Sequence, residues 1–217
     1  MWLPFFEIPS IYKRLRFLSL EEAQGLISVC DDHLRPIVIT ALNTGMRKGE
    51  ILKLRWDQID LQHRFILLDK TKNGERREIP INNTVQSVFH ELSRRIDVPY
   101  VFHDQKKLTP YQNVKRSFTT ALQRAKITDF HFHDLRHTFA SQLVMAGIDL
   151  VAIKELLGHK DIKMTLRYAH LAPAHKRKAV NVLDSLLNLP SNAHLQPTAQ
   201  LLHNQQNKIE KELANVS

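Results

Sequence analysis

The stretch FHDLRHTFAS, from Phe132 to Ser141, gathers His133, Arg136 and His137 within about one helical turn. Placed on a helix at about 100° per residue, these three and Ala140 share one face, while Leu135, Phe139 and Leu143 point to the other. Groups that are cationic or able to carry a proton repel one another at such spacing unless an anion lies among them. Arg136 suits an oxyanion such as phosphate, because its planar fork matches two oxygens and never deprotonates. Two other readings compete. Histidines four residues apart are also a zinc spacing, but the acid between them is Asp134 rather than Glu, and Arg136 would put a fixed positive charge beside a dication. In the structural reading, Arg136 and His137 merely bond neighbouring backbone.

Other segments offer groups of the same kind. TGMRKGEILKLRW puts Arg47 in the first turn of a helix, where backbone N–H groups and the dipole favour anions, with Glu50 one turn on. LGHKD supplies His159 just past a helix end, and LRYAH supplies Tyr168 nine residues later. Lys72 stands beside an Asn73-Gly74 turn, with Lys70 as a neighbour that could be confused with it. Each has an ordinary counterpart: Tyr168 as a packing residue, Lys72 as a solvated one. His131 and His137 read as structural or supporting, His170 as exposed, Trp56 as core packing between helix and sheet. The HKRK run at 175–178 reads equally as a solvated helix start or a phosphate-contact patch.

The elements that must carry these groups are mostly helical. Ser19 and Glu22 form a capping box ahead of LSLEEAQGLISVC. A second helix spans about 34–42, and Gly45 separates it from a third, MRKGEILKLRW. RFILLD and RREIPI are β-type runs joined through Asn73-Gly74, the strongest short hairpin signal. Helices resume near Asn83. Val114, Phe118, Ala121, Leu122 and Ala125 fall at helical spacing. The helix of the opening stretch closes at Gly147, DLVAIKELLGH starts at an Asp cap and stops at Gly158, and DIKMTLRYAHL starts at another. A last helix follows Pro173 with an apolar stripe at Val180, Leu183 and Leu187. The expected architecture is a mostly α (α+β) helical domain with one small antiparallel sheet. It is divided into an arm over 1–16, a main domain over 17–189 and a polar tail over 190–217, with no internal repeats.

Bulk composition narrows the partner. The chain has 217 residues, 43% hydrophobic, and a formal net charge of +9, with a pI near 9.7. That length supports one sizeable core, or one domain with a tail. A basic balance of this size favours a polyanion, either nucleic acid or an acidic membrane surface, over a generic basic surface. The single cysteine, Cys30, permits no internal disulfide and reads as a small buried apolar residue. No apolar run approaches the roughly 20 residues needed to span a bilayer. The start, MWLPFFEIPS, has no basic region and a proline within its apolar patch, so it does not read as a signal peptide. A soluble, cytoplasmic protein is expected.

Taken in order, TGMRKGEILKLRWDQID, TKNGERREIPI, HDLRHTFAS and LLGHKDIKMTLRYAH resemble the catalytic domain of the tyrosine recombinase (phage integrase) family, over about 17–171. Four separate motifs with family-like order and spacing make the resemblance specific. It implies that Arg47 and Arg136 clamp a DNA phosphodiester, that His133 helps Tyr168 lose its proton, and that His159 bonds the phosphate. It further implies that Lys72 protonates the leaving 5′ oxygen, that Glu50 orients the site, and that Tyr168 forms a 3′-phosphotyrosine without metal, ATP or other cofactor. The implied partner is double-stranded DNA, bound by a homo-tetramer on paired sites that is a monomer in isolation. A type IB topoisomerase-like relaxing enzyme, and a DNA-binding module without turnover that modulates a full-length recombinase, are the alternatives. Many family members carry a further helical DNA-binding domain ahead of the segment matching RFLSLEEA. Fewer than twenty residues precede it here, so the chain reads as a fragment, a truncated product or a minimal catalytic protein.

Overall fold

The computed structural model describes residues 15–68, 76–92, 94–172 and 175–187. The Asn73-Gly74 turn with Lys70 and Lys72, most of the expected arm and all of the expected polar tail lie outside them. Chain contacts divide the molecule into two units, Met1–Pro173 and Ala174–Ser217.

The first unit opens with α1 (Leu20–Val29). The Ser19 Oγ accepts from the Glu22 amide while the Glu22 carboxylate accepts from the Ser19 amide, which satisfies two otherwise orphaned N–H groups. Helix α2 (Arg35–Thr44) has proline at its start and stops where Gly45 turns left-handed at φ 61°. A Cβ at that position would lie 2.4 Å from a Phe139 ring carbon, so both the backbone sign and the packing call for glycine. The expected third helix is much shorter than its sequence pattern. Helix α3 covers only Lys48–Leu52, because Leu54, Arg55 and Trp56 are drawn into contact with 99–101. The Trp56 amide donates to the Pro99 carbonyl, and the Val101 amide donates to that of Leu54.

The sheet has three strands, one more than the two β-type runs indicate: β1 (Ile59–Asp60), β2 (Phe65–Leu68) and β3 (Arg77–Pro80), in the order β1-β2-β3. Strands β2 and β3 pair antiparallel with Phe65 opposite Pro80 and Leu68 opposite Arg77, as the hairpin reading expects. Two residues are too few to show a period of two, which is why β1 escapes a sequence pattern.

Helix α4 (Asn83–Glu91) starts at an Asn82 cap, and α5 (Lys115–Arg124) buries Phe118, Ala121 and Leu122. Helices α6 (Asp134–Met145), α7 (Leu150–Leu157) and α8 (Lys163–Leu166) complete the unit, with a 3-10 turn over Ala169–Leu171. The main core joins α1, α2, the sheet, α4 and α5 with Leu135 of α6. Trp56 belongs to it and meets Phe89 edge-on. Cys30 is also there, its thiol pushed up to about 11 by burial, as suits a packing residue. A second, smaller cluster consists of Ala140, Val144, Ile153, Leu157 and Tyr168. The two-faced reading of α6 therefore fails. Arg136, His137 and Ala140 are buried like Leu135, and Phe139 and Leu143 are only half-buried, because the helix is enclosed on most sides.

The second unit contributes α9 (His175–Leu186). Val180, Leu183 and Leu187 of the expected stripe are exposed. No described helix is long and apolar enough to cross a membrane.

Candidate active site

One cleft of about 320 Å³ collects the sequence candidates: it is lined by Arg47, His133, Arg136, His137, His159 and Tyr168, with Lys163, Met164 and Arg167. None of its nine described lining residues is acidic. Larger clefts lie elsewhere, of about 410 and 550 Å³, but neither gathers this set of cations and imidazoles. Lys72 lies outside the described residues.

Backbone ends hold the guanidinium groups in place. Arg136 donates through Nη1 to the Gly45 carbonyl at 2.6 Å, and through Nη2 to the Leu157 carbonyl. These carbonyls belong to the C-terminal ends of α2 and α7, where unsatisfied oxygens carry partial negative charge and favour a cation. Burial, followed by repulsion from Arg47 and Arg77, lowers Arg136 to about 10, so it stays charged at neutral pH. Arg47 is the N-cap of α3 with extended backbone. Its Nη1 donates to Glu50 Oε1 at 2.9 Å, and Glu50 Oε2 accepts the Arg47 amide at 2.8 Å. Arg47 Nη2 reaches the Gly158 carbonyl only at 3.4 Å, so that end remains available to a ligand. With α3 this short, Arg47 offers its side chain rather than a helix N-terminus.

Arg77, which no sequence motif singles out because it looks like one more basic strand residue, is buried behind this pair. It donates through Nη2 to Glu50 Oε2 at 2.9 Å and through Nη1 to the Leu157 carbonyl at 2.7 Å. A signal for it exists in the strand alternation, which puts Arg77 on the buried face with Ile79. Burial works to raise the Glu50 carboxyl, but Arg77 and then Arg47 outweigh it and hold the group below its ordinary value.

The imidazoles are kept neutral. His159 follows Gly158, the left-handed residue that ends α7 at φ 61°. Its Nδ1 lies 2.9 Å from Thr165 Oγ1. With the proton on Nε2, the threonine hydroxyl donates to Nδ1 and Nε2–H is left as a donor. Burial first, then Arg136 and Arg47, push His159 down to about 3. His137 is lowered to about 4 by burial and by His133. His133 stands at the cleft edge with one side open to solvent, and partial burial of its ring, then the nearby Arg136, lowers it as well.

Tyr168 is 1% exposed. Its hydroxyl lies 2.7 Å from Nδ1 of His137, and its pKa is raised by burial against the opposing pull of Arg167 and Arg136. The family resemblance implies that His133 helps this hydroxyl lose its proton. At rest His133 meets the His137 ring edge-on, with centroids 5.0 Å apart. The reason is helical geometry: His137 lies one turn deeper along α6, on the side where Tyr168 packs. Asp134, the acid of the zinc reading, accepts the His131 amide at 2.8 Å. His131 and His170 are exposed.

Comparison with known proteins agrees with this fold. Residues 16–175 match the family model described as the phage integrase family. The chain is 35% identical over 200 residues to an integrase of Salmonella phage P22, covering 84% of this chain and 51% of that protein. It is 33% identical over 194 residues to the tyrosine recombinase XerA of Pyrococcus furiosus, covering 83% and 66%. Among solved structures, the catalytic domain of bacteriophage HP1 integrase superposes with a TM-score of 0.64 at 32% identity, over 79% of this chain and 96% of that one. The fold is that of an integrase catalytic domain. The chain belongs to the phage integrase family. It spans about half the length of the first curated relatives it matches.

Proposed function

We propose that this chain is the catalytic part of a site-specific DNA recombinase, cleaving and rejoining strands through Tyr168. The observation that carries the reading is the cleft in which Arg47, Arg136, three imidazoles and the Tyr168 side chain converge, with no carboxylate among its described lining residues. Such a site accepts one phosphodiester. Relatives named integrase and shufflon-specific DNA recombinase support the biological setting, and the catalytic unit on this reading spans 17–189.

The steps follow from the residue types. A free tyrosine ionises near pH 10, so Tyr168 needs an acceptor for its proton. Neutral His137 bonds the hydroxyl at rest; once Tyr168 leaves it, His133 at the cleft mouth takes the proton. The Tyr168 oxygen attacks phosphorus as the O–P bond to the 5′ oxygen breaks. Negative charge grows on the non-bridging oxygens, where Arg47, Arg136 and the His159 Nε2–H stabilise it. Lys72 donates the proton that the 5′ oxygen requires. The phosphotyrosine keeps the bond energy, so rejoining needs neither ATP nor metal. Because the hydroxyl is buried, DNA must first draw Tyr168 off His137 and toward the cleft. Double-stranded DNA is the partner, a homo-tetramer on paired sites the active assembly, and the prokaryotic cytoplasm the compartment.

Plasmid relaxation and recombination assays, run side by side at high and low protein concentration, test this reading. Recombinant product at the higher concentration is expected. Relaxation alone at every concentration would instead support a topoisomerase-like enzyme.

A further inference from the structure

Glu50 is the carboxylate that three guanidinium groups surround: it bonds Arg47 and Arg77 directly and acts on Arg136 through space. Arg77 is 8% exposed and does not line the cleft, so it cannot grip DNA from where it sits. Yet its two terminal nitrogens reach both halves of the cation site. Nη2 holds Glu50, which holds Arg47, and Nη1 holds the Leu157 carbonyl, which also accepts from Arg136. Its stem lies against Gly158, where a Cβ would come within 2.4 Å of Nη1, and the next residue is His159. Arg77 also opens β3, the strand that follows the segment containing Lys72.

The charge balance sharpens the point. Were Glu50 bonded to Arg47 alone, much of the Arg47 charge would be spent on it. By taking a share of the carboxylate, Arg77 leaves Arg47 with positive field for a phosphate. A buried guanidinium set among like charges, with its Nε left without a hydrogen-bond partner, is a costly way to build a stabilising ion pair. Its position is explained by what it arranges.

We propose that Arg77 is a positioning residue that sets Arg47, Arg136 and His159 relative to one another and keeps Glu50 from neutralising Arg47. This rests on the strand-cleavage reading above, but its geometry can be tested separately.

Two measurements on the full chain decide it. The first is single-turnover cleavage of a nicked duplex at saturating DNA, comparing wild type, Arg77→Met, Arg77→Lys, Glu50→Gln and the double variant Glu50→Gln/Arg77→Met. Removing Arg77 is expected to slow cleavage about 100-fold, the scale of a misplaced reactive group, while the DNA Kd stays within about threefold. Arg77→Lys reaches one partner but not both, so it recovers only part of the rate. Deleting the Glu50 charge as well should recover about tenfold over Arg77→Met, because the unbalanced carboxylate is then gone. Cleavage by Arg77→Met within threefold of wild type, or strictly additive losses in the double variant, would overturn the proposal. The second is NMR of the arginine Nε–H groups of free wild-type protein and Arg77→Met. The Arg47 and Arg136 signals are expected to shift and broaden. Unchanged signals in a folded variant would overturn the positioning role even for a chain that does not cleave DNA. A wild type that binds DNA without cleaving, with those signals perturbed, would defeat the catalytic reading and leave the positioning role standing.

Discussion

The aliphatic core and the cation cleft follow opposite logics, and Leu135 and Arg136, neighbours on α6, show it. Leu135 is fully buried among apolar residues of the main core, where each buried methylene adds stability. Arg136 is almost as buried, but among Arg47, Arg77 and the ends of two helices. One region excludes charge. The other concentrates it, and Arg136, His133, His137 and His159 are all lowered, first by burial and then by repulsion from neighbouring cations and imidazoles. Stability and reactivity are thus separated by a single residue step along one helix.

The sharpest way to break this contrast is substitution of each neighbour. Arg136→Met should reduce single-turnover DNA cleavage by roughly 10³-fold, the upper range for losing one transition-state donor. Its thermal midpoint should stay close to wild type, because relief of repulsion from Arg47 and Arg77 offsets the loss of the bonds to the Gly45 and Leu157 carbonyls. A variant that instead melts well below wild type would place Arg136 with the core. Leu135→Ala is expected to do the reverse, costing about 2–5 kcal/mol of unfolding free energy in urea titration. Its cleavage rate per folded molecule should be nearly unchanged.

Acid provides a milder probe. His137 and His159 are held neutral in the folded protein, with pKa values near 4 and 3, and regain an ordinary value near 6.5 when unfolded. Between those limits the unfolded chain binds more protons, so stability must fall as pH drops below about 6.5, and the fall must continue toward about 4. Thermal melts from pH 7 to 4 check this, and His137→Gln should flatten part of the slope. A slope identical to wild type would show that His137 takes no part in the acid response. The smallest effect belongs to the periphery. Ser19→Ala breaks the capping box of α1 and should cost about 1 kcal/mol with no change in cleavage.

What can be read from the sequence divides along the same line. Caps at Ser19 and Asp149, stops at Gly45 and Gly158, and the pairing of β2 with β3 are legible because each depends on a few adjacent residues. The convergence of Arg47, His133, Arg136, His159 and Tyr168 is legible through motif order rather than through any local rule. Three features are not. The shortness of α3 depends on contacts with 99–101, far along the chain. The partner of Tyr168 turns on which of two histidines one turn apart lies deeper. Arg77 escapes notice because a basic residue in a strand usually faces water, although its register with Ile79 marks the buried side.

The most direct test of the central claim is covalent trapping. Nicked suicide duplexes, drawn from a pool selected for binding to this chain, let the cleaved 5′ fragment diffuse away, and denaturing electrophoresis then compares wild type with Tyr168→Phe. Strand cleavage through Tyr168 predicts a protein–DNA band in wild type that is absent from the variant. DNA that binds but yields no band, or a band that persists without the Tyr168 hydroxyl, would contradict it.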